Sequence, residues 1–188
     1  MFRQWLTLFK SLRRYIRSYG GLRGLLASPF FGIAVIISAL NYSQWTAQPA
    51  WIAKVEALIP SLLGFSLGTY AILFSIMSGR LKSALRHVSS PNGVSYLEAI
   101  NATFFHFIFV QVFALVWSFL YQGTWLIDLV GLFKTNYPWL EAIYYLLSRA
   151  GSFTGCFLLM YSILLMIASA LAVYRLAMIK DPSESGRD

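Results

Sequence analysis

The chain of 188 residues is 58% hydrophobic, 17% aromatic and only 12% charged, with a mean hydropathy of +0.64; this is far more apolar than a soluble domain of its size needs for a core, and it excludes an ordinary soluble enzyme. Fifteen Lys and Arg stand against seven Asp and Glu, giving a net charge of +8. The single cysteine, Cys156, cannot form an intrachain disulfide, and no Cys/His cluster has metal-ligand spacing, so neither zinc nor redox chemistry and no cofactor is expected.

Residues 1–24 come first. No acidic residue precedes Glu56, so this stretch is purely cationic. In "MFRQWLTLFKSLRRYIRSY" the apolar residues Phe2, Trp5, Leu6, Phe9, Leu12, Ile16 and Tyr19 recur at helical spacing, and Arg3, Lys10, Arg13, Arg14 and Arg17 fill the flank beside them. The pattern predicts a basic amphipathic helix, either cytoplasmic or lying on anionic lipid, where each basic residue near the leaflet contributes ~1 kcal/mol. About two dozen mixed residues precede any apolar run, so no cleaved signal peptide is expected.

A transmembrane helix needs ~20 mostly apolar residues, and four stretches qualify within a transmembrane domain at 25–178: residues 25–44, 57–78, 100–121 and 152–178. A polar tail, 179–188, follows. The expected fold is therefore all-α, an integral membrane protein of four spans plus the N-terminal helix. With both termini inside, twelve basic residues are cytoplasmic and only Lys54, Lys134 and Arg149 lie outside, as positively charged flanks resist translocation. Trp45, Trp51, Trp125 and Trp139 then fall in the two outer connections, 45–56 and 122–151, and make an aromatic belt. The second of these is too apolar for a solvated loop. An interfacial helix starting near Pro138 fits it, and a re-entrant pore loop is the alternative.

The second span contains Gly64-Phe65-Ser66-Leu67-Gly68, which spells both a serine-hydrolase elbow and a G-x-x-x-G helix contact. Nothing around Ser66 reads as the strand and sharp turn an elbow requires. An intramembrane hydrolase pairing Ser66 with His106 would also lack a water supply and an oxyanion hole. No catalytic residue is assigned, and the protein is not expected to be an enzyme. Rotation at ~100° per residue instead puts Ala57, Ser61, Gly64, Gly68, Ala71, Ser75 and Gly79 in one stripe about 80° wide. Such a stripe lets another backbone come close. One reading packs it on the fourth span, where Gly151, Gly155, Ser162 and Ser169 offer a matching face; the other turns it to the axis of an oligomer, as a pore lining. A continued helix would then carry Lys82 and Arg86 to the mouth of that pore.

The third span holds His106 and Gln111 at membrane depth, where polar side chains face the bundle interior; interhelical hydrogen bonds and a pore or pH-sensing role for His106 are the two readings. On the cytoplasmic side, Arg80, Lys82 and Arg86 flank the turn Ser89-Ser90-Pro91-Asn92-Gly93. Together with Lys10, Arg13, Arg14 and Arg17 they form a basic face able to hold anionic lipid or the phosphates of a nucleotide or oligonucleotide.

The segment from Ile59 to Gly79, "IPSLLGFSLGTYAILFSIMSG", followed by this basic loop, resembles short multi-span effectors of bacterial anti-phage defence, and the outline is most similar to the channel subunit of Hailong-type systems. The resemblance implies a tetrameric ion channel of the bacterial inner membrane, held shut by a DNA oligomer made by a partner nucleotidyltransferase. A non-conducting membrane anchor or assembly subunit of a larger complex is the second class the residues allow.

Overall fold

A computed structural model describes residues 2–46, 49–90, 93–133 and 139–178. Lys134, Pro138, the turn residues Pro91 and Asn92, and the tail from 179 lie outside them. The described residues are helical, with no strand beyond an isolated bridge between Ser89 and Ser95. Three helices are long and apolar enough to cross a membrane: α5 (Trp51–Ile76), α7 (Tyr96–Gln122) and α9 (Trp139–Ala177). Around them lie α1 (Phe2–Tyr19), α2 (Gly21–Leu26), α3 (Pro29–Leu40), α4 (Tyr42–Thr46), α6 (Gly79–His87) and α8 (Trp125–Phe133).

The first expected span is broken. α2 ends at Leu26, Pro29 opens α3 behind Ser28, and the Asn41 side chain bonds the Ile37 carbonyl at 2.8 Å where α3 ends. At 1.5 Å per residue the twelve residues of α3 reach only about 18 Å, against ~30 Å of hydrocarbon. The second span ends before its expected continuation: Met77 and Ser78 are extended, and the Ser78 hydroxyl caps a separate α6 through the Leu81 amide. Lys82 and Arg86 are therefore on another helix and not on the stripe of α5. The outer connection also departs from expectation. No separate interfacial helix follows Pro138; the helix that begins at Trp139 runs unbroken into the last span and is 39 residues long, about 58 Å.

α9 is the central element and packs against α3, α4, α5, α7 and α8. Its small residues admit large ones. A methyl group on Gly155 would run into the Trp51 indole, and one on Gly151 would press on Tyr121. Trp51 is buried there and donates from its indole nitrogen to Ser152 Oγ at 2.9 Å. Below it, Val55 and Ile59 of α5, Phe104 and Phe107 of α7, and Leu159 and Leu165 of α9 fill the core. The bundle thus has a tryptophan end, at Trp51, Tyr121 and Ser152, and a basic end, at Tyr96 and Arg175. The first dozen residues of α9 stand about 18 Å beyond the tryptophan end, with α8 beside them.

Candidate functional site

At the basic end α1 lies across α7 and is fixed by one face near its C-terminus. Arg14 Nε donates to Glu98 Oε1 at 2.7 Å, and Ser18 Oγ donates to the same oxygen at 2.9 Å. Tyr15 stacks edge-on against Phe105, with ring centroids 4.9 Å apart, and its hydroxyl bonds His106 Nδ1. His106 Nε2 is bonded to the Tyr161 hydroxyl of α9 at 2.8 Å, and the Tyr19 ring lies over the imidazole at 4.2 Å. A neutral imidazole satisfies both phenols, as donor to one and acceptor from the other. Burial, with Tyr19 adding to it, pushes the Tyr15 phenol above its usual range, so it remains protonated. Burial also raises Tyr19. The bond to Glu98, and then the charge on it, hold the Arg14 guanidinium above its ordinary value.

Between α1, α5, α6 and α7 opens a cleft of about 530 Å³, lined by Ser11, Arg14, Tyr70, Arg86, Glu98 and Asn101 among others. Of the seven basic residues expected to hold an anion, Arg14 and Arg86 are brought to this cleft. Lys10, Arg13, Arg17 and Arg80 are exposed elsewhere, and Lys82 is half-buried. Guanidinium forks suit phosphate oxygens. Because Arg14 already engages Glu98, a phosphate entering the cleft competes with that carboxylate for it. Glu98, Tyr15 and Ser18 were not among the expected site residues. One signal was present: Ser95-x-x-Glu98 spells a capping box, and Ser95 Oγ does accept from the Glu98 amide at 3.2 Å, which marks the start of α7. That the carboxylate turns to α1 instead is a tertiary event that this spacing does not encode.

The mostly apolar interior of the bundle also holds buried polar side chains. Gln111 Nε2 donates to Ser66 Oγ at 3.1 Å, and Ser66 Oγ reaches Met166 Sδ at 3.9 Å. Gln111, Ser66, Ser118 and Ser162 are all at most 1% exposed. Ser66 sits within the continuous helix α5 and its partners are Gln111 and Met166, whereas the two ring nitrogens of His106 are taken by Tyr15 and Tyr161. The serine and the histidine do not form a dyad.

The small-residue stripe does not pack on α9. Ala57, Ser61, Gly64, Gly68, Ala71, Ser75 and Gly79 are all exposed, and a Cβ built on Gly64, Gly68 or Gly79 meets nothing within 4 Å. Gly79 belongs to α6. The matching face expected on α9 is occupied by aromatic rings: Gly155 meets Trp51, and Gly151 meets Tyr121 and Trp117. The opposite side of α5 turns inward, with Leu73 buried and Tyr70 and Phe74 half-buried against the core. Phe74 is thus a packing residue. The chain matches no protein-family profile, no curated protein and no solved structure.

Proposed function

We propose that the chain is a homo-oligomeric membrane effector, an ion channel whose basic side faces the cytoplasm and responds to an anionic nucleotide or oligonucleotide. The observation that carries this reading is the outward stripe on α5 beside a closed interior. Since buried side chains fill the middle of the single chain, a conducting path has to run between copies. From Ala57 to Ser75 the stripe is a surface of a spanning helix cleared of bulk. Turned to a shared axis, it leaves room for water, and the Ser61 and Ser75 hydroxyls replace part of an ion's hydration. A tetramer, as the resemblance implies, closes such an axis.

The arm at the tryptophan end supports assembly on separate grounds. Tyr145, Leu146 and Leu147 of α9 and Leu132 of α8 are half or more exposed, beyond the end of α7. Apolar side chains in that position are covered by a neighbouring copy. The orientation rests on four crossings, with α2, α3 and α4 as a broken first one. Its support is that α3 begins near Ala172 of α9, while Trp45 of α4 packs on Phe153, nineteen residues or about 28 Å further along. With four crossings both termini lie in the cytoplasm of a bacterial cell, and the Arg14/Arg86 cleft faces the ligand.

The test is ion flux through liposomes holding the purified full chain, with and without a short DNA oligomer. The reading expects flux that the oligomer changes and that Gly68→Leu abolishes. Absence of flux under both conditions contradicts it, and favours the second class, an anchor or assembly subunit without conduction. No enzymatic step is part of the proposal.

A further inference from the structure

A second cavity, of about 390 Å³, lies at the basic end on the far side of α7 from the Arg14/Arg86 cleft, between α7, α9, the start of α3 and Tyr19 of α1. α3 starts only at Pro29, so below it the groove between α7 and α9 is left without α3 and remains open past Leu171, which is 45% exposed. Its deep wall is apolar, formed by Phe104, Phe107 and Leu165. Its rim is polar and positive. Arg175, in the last turn of α9, is exposed and has no carboxylate partner among the described residues. Opposite it, the Ser28 side chain makes no capping bond, and the amides of Phe31 and Gly32 both turn back to the Ser28 carbonyl, which leaves the Phe30 amide as a first-turn donor.

We infer that this cavity is a binding site for one anionic phospholipid, with the phosphate between Arg175 and the start of α3 and an acyl chain against Phe104, Phe107 and Leu165. Three features choose a lipid over a soluble phosphate. The volume lies in the ~300–1,000 Å³ range of small-molecule sites. The wall behind the positive rim is apolar, so it stabilises a hydrocarbon chain and gives a free phosphate nothing to bury. And the opening lies on the outer surface of spanning helices, where the occupant at hand is lipid. A basic pocket between transmembrane helices, with a helix start adding positive potential, matches an anionic headgroup. The site is separate from the proposed anion cleft, and its loss would leave the conduction reading untouched.

The experiment is native mass spectrometry of the full chain released from nanodiscs of mixed phosphatidylglycerol and phosphatidylcholine. The expected result is one tightly held phosphatidylglycerol per chain. Arg175→Gln should lower its retention about tenfold, the loss of one charge-assisted contact, while Arg149→Gln, which removes the same charge from the tryptophan end of α9, should not. Ala168→Phe, which fills the cavity, should exclude the lipid with Arg175 intact; if that variant does not fold, Arg175→Gln decides alone. Retention of both lipids alike, or retention indifferent to Arg175→Gln, overturns the assignment. So does full displacement of the lipid by inorganic pyrophosphate, which would make the site one for a soluble phosphate.

Discussion

Gly155 and Gly64 are both glycines of spanning helices, spaced alike from their small neighbours, and they have opposite roles. Gly155 makes room for Trp51, a buried indole held by Ser152, so Gly155→Ala forces the ring to move and should cost about 1–3 kcal/mol in a detergent unfolding titration. Gly64→Ala meets nothing within the chain and should leave that titration unchanged or slightly improved. Equal effects of the two would contradict the packing described for α9. Tyr15 offers a second residue-scale test. Tyr15→Phe keeps the ring against Phe105 and removes the hydroxyl from His106, leaving a buried imidazole nitrogen without its partner. Hydrogen exchange along residues 12–19 should rise by an amount corresponding to about 1–3 kcal/mol; unchanged exchange would mean that the phenol does not fix α1.

At the scale of elements, the long spans and the amphipathic start of the chain were legible, because apolar runs of helical length and the alternation of Arg with Trp, Leu and Phe report directly on lipid. The breaks were half legible: Pro29 marks one, whereas the break at Met77 and Ser78 is marked by the turn dipeptide Ser78-Gly79, which the small-residue periodicity running on through Gly79 obscures. The direction in which a helix turns its small face was not legible at all. Periodicity groups Gly64, Gly68 and Ala71 on one side of α5, but which neighbour that side meets is decided by how Trp51, Tyr70 and Phe104 pack. The same holds for α1, whose basic flank was evident while its docking onto α7 through Glu98 was not. Its remaining apolar face is free, with Trp5, Leu6 and Phe9 about 60% exposed, as suits a helix resting on a leaflet. Replacing Arg13, Arg14 and Arg17 together by Gln should weaken binding of a DNA oligomer and flatten the salt dependence of its affinity by up to about three contacts' worth. Unchanged affinity and slope would remove α1 from the ligand site.

For the molecule as a whole, the central claim is that a closed bundle presents a cleared helix face to other copies of itself. Packing of small residues across a membrane depends on close backbone approach, since lipid tails are as apolar as Leu and give no hydrophobic reason for helices to associate. The six small residues that α5 carries on this face, left against lipid, would forfeit that approach from Ala57 to Ser75. The most direct measurement is cross-linking between copies in native membranes, with one cysteine introduced at Gly64 or, as the control, at exposed Leu58, about 120° round the helix from Gly64; Cys156 is buried and stays silent. The account predicts covalent dimers from Gly64→Cys and few from Leu58→Cys. Monomers from both, or dimers from Leu58→Cys alone, would contradict it.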